Sequence, residues 1–387
     1  MPVINVPQPA FMEEEEIAIF ADAVGKFYQQ HAPQKRVQQW RADGMVERDF
    51  WREAGAAGLL GVSVPTEYGG HGGDFRHDLV VIDQQAKHDV DGFAASLHNT
   101  IILPYLVRHG TEEQKQKYLP KLVSGELVSA IAMTEPGVGS DLQSITTTAL
   151  RDGNGYRING AKTYISNGQT ADFIVVVAKT NPNERAKGIS LMLLETEGAE
   201  GFQRGKKLDK IGLDAADTSE LFFDNVFVPA ENVLGGVEGK GFYQLMGELP
   251  QERLVIAIGA ATGIEKALDT TVEYVKSRKA FGQTIWDFQN TQFVLADLKA
   301  RGTAARVFVN DCIAKLLRGE LDVATASMAK YWVTELQGEV VDKCLQLHGG
   351  AGYINEYPIA KMYRDARITR IFGGSNEVMK MLIARSM

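Results

Sequence analysis

Apolar residues recur three and four positions apart from Glu13 to about Leu127, as at Ile17, Phe20, Val24 and Phe27, which is the spacing of helices that bury one face. Glycine-rich breaks punctuate this stretch, the longest running from Pro65 to Gly73. From Val128 to Leu234 the texture changes to short β-rich runs, such as Asp172 to Ala178, Ile189 to Leu194 and Glu220 to Phe223, separated by Gly, Asn and Asp turns. Beyond the loop Gly235 to Gly241 long helical periodicities return, over Leu254 to Ser277, Phe288 to Leu317 and Ala324 to Leu347. The pattern predicts an α+β protein of three domains: helical over residues 1–127, β over 128–234 and helical over 235–387. Helices, then strands, then helices exclude the βαβ alternation of a doubly wound sheet.

A chain of 387 residues exceeds what one hydrophobic core usually covers, in keeping with several packed units. Its net charge of −8 argues against a principal role on nucleic acid or an anionic membrane, because both need a basic face. A local basic patch for a phosphorylated ligand stays open. Cys312 and Cys344 form neither a disulfide framework nor a zinc signature, and read as buried thiols in a reducing compartment. No run approaches the roughly 20 apolar residues of a membrane span. Residues Met1 to Pro9 lack the basic start and apolar run of a secretory signal, and Glu13 to Glu16 are unlike an Arg-rich transit peptide. The expectation is a cytoplasmic chain without integral membrane association.

Some candidate chemistry can be set aside. The segment Gly235 to Gly241 resembles a phosphate cradle but neither follows a strand in a βαβ unit nor carries the dinucleotide spacing, so it reads as an interdomain turn. The histidines lack ligand spacing, which leaves no metal site. The serine hydrolase elbow is absent. Three denser segments remain. Ala132 to Asp141 packs hydroxyls and permissive glycines into a short loop that would bring N–H and O–H donors toward a polar planar ligand or its phosphates, although on its own it reads equally as a Pro/Gly turn. Gln346 to Tyr353 ends a long helix in closely spaced glycines, more than a simple helix stop requires. Ile371 to Glu377 carries another glycine pair into a final helix.

Together these segments resemble the acyl-CoA dehydrogenase family over nearly the whole chain. Ala132 to Ser144 is similar to the family's first signature and Gln346 to Asp365 to its second. Gly110 to Pro120, Asn159 to Asn167 and Ser277 to Gly282 follow in family order, and Leu249 to Leu254 and Gly374 to Lys380 look closest to the long-chain branch. The resemblance implies an α-helical N-terminal domain, a β-barrel middle domain and a C-terminal four-helix bundle. It implies FAD, with the flavin against Ile131, Met133 and Thr134 and the strand Tyr164, Ile165 and Ser166. Gly139 and Ser140 belong to the same cofactor set. In a homotetramer, Arg278 and Gln289 of one chain and Gln346, Leu347, His348, Gly349 and Gly350 of a neighbour would hold the adenosine diphosphate portion, with Ser375, Asn376 and Glu377 also lining it. An arginine suits a pyrophosphate because its planar fork donates in pairs. Ser140, Tyr243, Arg253 and Gly374 would meet the acyl-CoA substrate.

The implied reaction removes an α proton made acidic by the thioester and a hydride from the β carbon. Family members place a backbone N–H, here that of Gly373, and a ribityl hydroxyl of FAD at the thioester oxygen. The medium-chain pattern has its catalytic glutamate where this chain has Gly373, and glycine is no base. Branches resembling isovaleryl-CoA and long-chain dehydrogenases carry it instead beside an arginine, here Glu252 next to Arg253. The competing reading of Glu252 is a solvated glutamate at a helix start behind Pro250. The expected substrate is a long-chain acyl-CoA, with branched or terpenoid chains, carrier-protein thioesters, an oxidase and a non-catalytic flavin-binding scaffold as alternatives, and an electron-transferring flavoprotein as the expected acceptor.

Overall fold

The computed structural model describes residues 2–387. Six helices come first: α1 (Glu15–His31), α2 (Gln34–Asp43), α3 (Arg48–Ala56), α4 (Phe75–Lys87), α5 (Leu103–His109) and α6 (Glu112–Val123). Along α1 the residues Ile17, Val24 and Phe27 are buried as their spacing requires, on a helix that packs against α4. A six-residue π-helical turn, Leu97–Ile102, leads into α5 and buries three polar residues, His98, Asn99 and Thr100. Asn99 donates to the Leu59 carbonyl and accepts the Gly61 N–H at 2.8 and 3.1 Å. His98 Nε2 donates to the Leu122 carbonyl while its Nδ1 accepts the Ser129 hydroxyl, at 3.0 and 2.7 Å, and burial, lowering its pKa to about 4, keeps the ring neutral for both roles.

The strands follow: β1 (Ser129–Ala132), β2 (Thr148–Asp152), β3 (Gly155–Ser166), β4 (Phe173–Lys179), β5 (Ile189–Glu195), β6 (Phe202–Lys207) and β7 (Thr218–Pro229). They form one curled sheet in the order β1-β4-β2-β3-β7-β6, with β5 antiparallel on β4. The β1–β4 ladder is parallel and the β3–β7 ladder antiparallel. The unbroken apolar run of β4 is explained by burial of both faces. Phe173, Val175 and Val177 join a core with Tyr118, Leu119 and Leu122 of α6, whereas Ile174, Val176 and Ala178 join Ile158, Leu221 and Val226 on the other face. Helices and sheet therefore share an apolar core and make one compact unit, Glu14–Glu248.

The second unit comprises residues up to Glu13 together with Leu249–Met387. Its elements belong to α7 (Gly241–Ser277), the short strands β8 (Lys279–Ala280) and β9 (Gln283–Thr284), α8 (Gln289–Leu317), α9 (Val323–His348), α10 (Pro358–Ala366) and α11 (Asn376–Ala384). The division falls inside α7, beyond the turn expected to separate the domains. Helix α9 is central, with α8, α10 and α11 packed on it. Sequence periodicity did not assign the N-terminal stretch to this unit. Val3 N–H donates to Asp269 at 2.6 Å, and Ile4 lies so close to Gly302 that a Cβ there would meet its Cδ1 at 2.6 Å. Cys312 and Cys344 are free and buried, and burial pushes both thiols up to about 11. No described helix is long and apolar enough to cross a membrane.

Two glycines in the first unit separate backbone strain from crowding. Gly153 has φ +57 with nothing within 4 Å of a built Cβ, while Gly125 has φ +72 and a Cβ that would meet the Trp51 carbonyl oxygen at 2.2 Å. Gly153→Ala is expected to cost about 1 kcal/mol and Gly125→Ala more than about 3 kcal/mol, measured by urea denaturation. Equal losses would show that the carbonyl gives way.

Candidate active site

The loop after β1 is organised from beneath. Glu135 to Val138 forms a tight turn closed by two backbone hydrogen bonds of 2.9 and 3.1 Å. The buried Glu135 carboxylate accepts the Thr146 N–H and hydroxyl at 2.6 and 2.7 Å, the Thr147 N–H at 2.9 Å and the Lys162 ammonium at 2.9 Å. Lys162, 0% exposed, also donates to the Met133 carbonyl at 2.9 Å. Burial pushes the Glu135 pKa upward, but Lys162 and the two threonines outweigh it and hold the carboxyl down at about 2. The Thr134 carbonyl accepts the Thr163 N–H at 2.9 Å. With these carbonyls turned inward, the Thr134 N–H and hydroxyl have no partner among the described residues.

Strand β3 presents its side of the site through a bulge. Its register with β7 shifts between Lys162 and Ile165, so Lys162 and Thr163 are both buried, and Tyr164, at φ +60, is 67% exposed. Tyr164 and Ser166 are exposed, whereas the Ile165 side chain enters the sheet core, so Ile165 offers a ligand no more than its backbone. Ile131 and Met133 are half-buried against the helix–sheet core. Gly139, Ser140 and Tyr243 are exposed, and nothing lies within 4 Å of a Cβ built on Gly139.

In the second unit Glu252 is 5% exposed and Arg253 4%. Helix α7 starts at Gly241, so Glu252 lies about three turns in and Pro250 stands inside the helix. The solvated helix-start reading is thereby corrected. Proline there forfeits only the hydrogen bond to the carbonyl one turn earlier, which the long flanking helix tolerates. Gly373 has φ +63, and a Cβ on it would meet Ile256 Cδ1 at 2.2 Å. Ile256 is one turn beyond Glu252 on the same face of α7. Gly373 thus packs on a side chain that stands one helical turn along α7 from Glu252, and the Gly373 N–H has no acceptor among the described residues. Arg253 has its pKa lowered, by burial first, with Glu252 opposing the shift.

The residues after this glycine pair divide. Ser375 Oγ caps α11 by accepting the Val378 N–H, and Glu377 is exposed in its first turn. Asn376 was expected to line the cofactor, but it is 1% exposed and its amide nitrogen donates to Thr334 at 3.1 Å and Glu335 at 2.7 Å. It is a strut of the loop. His348 is likewise internal. Its ring stacks on Tyr274 with centroids 4.2 Å apart, and its Nδ1 donates to the Cys344 carbonyl at 2.8 Å. Tyr274 and Arg278 are one turn apart, so within a single chain the ends of α7 and α9 lie side by side. Gln346, Gly349 and Gly350 are exposed there, with Leu347 half-buried. Arg278 is exposed without an ion-pair partner among the described residues, and Gln289 is the exposed first residue of α8.

Family models for the acyl-CoA dehydrogenase N-terminal, middle and C-terminal domains match residues 14–126, 130–226 and 239–387. The chain belongs to the acyl-CoA dehydrogenase family. It is 48% identical over 369 residues to the mitochondrial long-chain specific acyl-CoA dehydrogenase of Mus musculus, covering 95% of this chain and 85% of that protein. It is 38% identical to the mitochondrial isovaleryl-CoA dehydrogenase of Pongo abelii, covering 96% and 88%. A crystal structure of acyl-CoA dehydrogenase from Geobacillus kaustophilus superposes with a TM-score of 0.94 at 46% identity, covering 96% of this chain and 98% of that one. Acyl-CoA dehydrogenases are FAD-dependent oxidoreductases, and this chain is one. Its residues fit that cofactor: unpaired donors at Thr134, open glycines at 139, 349 and 350, and an arginine, Arg278, that no carboxylate among the described residues pairs with.

The Lys162–Glu135 pair should be felt in both stability and cofactor retention. Lys162→Met leaves a buried carboxylate without its cation, an expected loss of about 3–5 kcal/mol, and lowers the FAD content of purified protein read by visible absorption. The folded Glu135 carboxyl titrates below its ordinary 4.5, so its contribution is complete above pH 4.5 and is lost as pH falls toward about 2. The urea-midpoint gap between wild type and Glu135→Gln should accordingly narrow over that interval; a gap independent of pH would contradict the pairing.

Proposed function

We propose that this acyl-CoA dehydrogenase oxidises long-chain acyl-CoA thioesters to trans-2-enoyl-CoA, with Glu252 as the base. The observation that carries this reading is the buried Glu252 carboxylate one helical turn from the side chain that touches Gly373, whose N–H is unpaired. Donation of that N–H to the thioester oxygen stabilises the negative charge that develops as the α C–H bond breaks. The proton passes to Glu252, and the electron pair left on the α carbon forms the new double bond as hydride leaves the β carbon. FAD, when bound, supplies the acceptor for that hydride. Thr134, Gly139, Ser140, Tyr164, Ser166, Arg278, Gln289, Ser375 and Glu377 are the residues we assign to holding it. Ser140, Tyr243, Arg253 and the Gly374 backbone are assigned to substrate. Displacement of water by a long acyl chain would raise the Glu252 carboxyl toward the acidity of the substrate.

The chain-length reading is supported by the higher identity to a long-chain specific enzyme, 48% against 38% for an isovaleryl-CoA enzyme. The latter also supports a second reading, a methyl-branched acyl-CoA substrate. We assign a homotetramer in the cytoplasm that passes electrons to an electron-transferring flavoprotein, with Gln346, Leu347, Gly349 and Gly350 of a neighbouring chain completing the dinucleotide site.

Glu252→Gln should keep FAD and acyl-CoA binding while turnover falls by about 10²–10⁴-fold or more, whereas near-normal turnover would overturn the assignment. Moving the base to Gly373 in a Glu252→Gly background requires Ile256 to yield, so partial recovery is expected to be greater when Ile256→Ala is added. Across an acyl-CoA panel, kcat/KM should rise from butyryl-CoA to long straight chains; a best substrate of isovaleryl type would select the branched reading.

A further inference from the structure

Lys330 lies at an interior position of α9, between Ala326, Ala329 and Val333, and is 0% exposed. Burying an ammonium group is strongly unfavourable, and an apolar side chain of the same length would fill the space. No carboxylate lies within ion-pair distance of it among the described residues. Its Nζ donates to the Gly374 carbonyl at 2.7 Å and to Asn376 Oδ1 at 2.9 Å. Asn376 in turn donates to Thr334 and Glu335, and Arg370 donates to Glu335 at 3.3 Å. Burial first, then Arg253, lower the Lys330 pKa to about 8, with Glu335 and Glu377 opposing, so the ammonium form persists at neutral pH.

The segment this lysine grips is intrinsically loose. Gly373 and Gly374 have φ +63 and +91, two consecutive left-handed glycines, the backbone type with the most conformations to choose from. We propose that Lys330 is a positioning residue for α-proton abstraction: its grip on the Gly374 carbonyl and Asn376 fixes the glycine pair so that the Gly373 N–H meets the thioester oxygen. The inference rests on the acyl-CoA reading given above and assigns Lys330 a part in it. Lys330 touches neither substrate nor cofactor in this role. A displacement of the donor by about 1 Å is enough to weaken catalysis by about 100-fold.

The test isolates proton removal from hydride transfer. A 3-thia-acyl-CoA has sulfur at the β position, so its α proton can leave and return but no hydride can follow. The FAD-loaded wild type in D2O should exchange that α proton for deuterium, read by mass spectrometry. Lys330→Met matches the length without the charge, and Lys330→Gln retains a polar end should the first variant not fold. The folded variant should keep about one FAD per chain and bind the analogue within about threefold of wild type, while exchange slows by about 10–100-fold. Exchange at the wild-type rate in the variant would overturn the role of Lys330 alone. A slowing matched by an equal loss of FAD or analogue binding would also overturn it, as a merely structural effect. A wild type that binds the analogue but exchanges nothing would overturn the acyl-CoA reading together with it.

Discussion

An ammonium group shut away from water has to be surrounded by acceptors, and that constraint shapes the loops of both units. Lys162 reaches from β3 to the Met133 carbonyl and the Glu135 carboxylate, and Lys330 reaches from α9 to the Gly374 carbonyl and Asn376. In each case a side chain rooted in a regular element draws loop carbonyls inward. What is left unpaired is the opposite polarity, the N–H groups of Thr134 and Gly373, which have no acceptor among the described residues. Anion-stabilising donors of this kind need no reorganisation when charge develops, because the reorganisation was completed on folding. The two lysines differ in balance. Lys162 faces a carboxylate directly, whereas Lys330 is held by neutral acceptors with Glu335 and Glu377 acting at a distance.

Much of the architecture was legible because periodicity reports burial. The spacing of Ile17, Val24 and Phe27 marked α1, and the apolar run over Asp172 to Ala178 marked a strand, which the fold buries on both faces. Periodicity is silent about which faces share a core, so the packing of α6 against β4 was not legible in it. It is equally silent about short irregular stretches, which is why the residues up to Glu13 were not expected beside α7 and α8. The competing reading of Glu252 arose because Pro250 looks like a helix start, whereas it is interior to a helix begun nine residues earlier at Gly241.

Within the site, segments were legible and side-chain directions were not. Ile165 enters the sheet core because a bulge breaks the alternation of β3 at Lys162 and Thr163. His348 and Asn376 point into the second unit, where Tyr274, Cys344, Thr334 and Glu335 engage them. Lys162 and Lys330 were not singled out at all. Their signal was present, since each is a lysine at a position where the surrounding pattern calls for a buried apolar residue, as Ala326, Ala329 and Val333 show for Lys330. A charge at such a position implies acceptors that only the fold can identify.

The chemistry proposed here joins the buried Glu252 carboxylate to the unpaired Gly373 N–H, and FAD, when bound, would supply the hydride acceptor. The most direct measurement is an anaerobic single turnover of the FAD-loaded protein with a long-chain acyl-CoA, with hydrogen or deuterium at the α carbon. If Glu252 and the Gly373 N–H act as described, the visible flavin absorption bleaches on mixing, and deuterium at the α carbon slows the bleaching several-fold. Full flavin absorption that persists in excess acyl-CoA, with FAD still bound, would contradict the account.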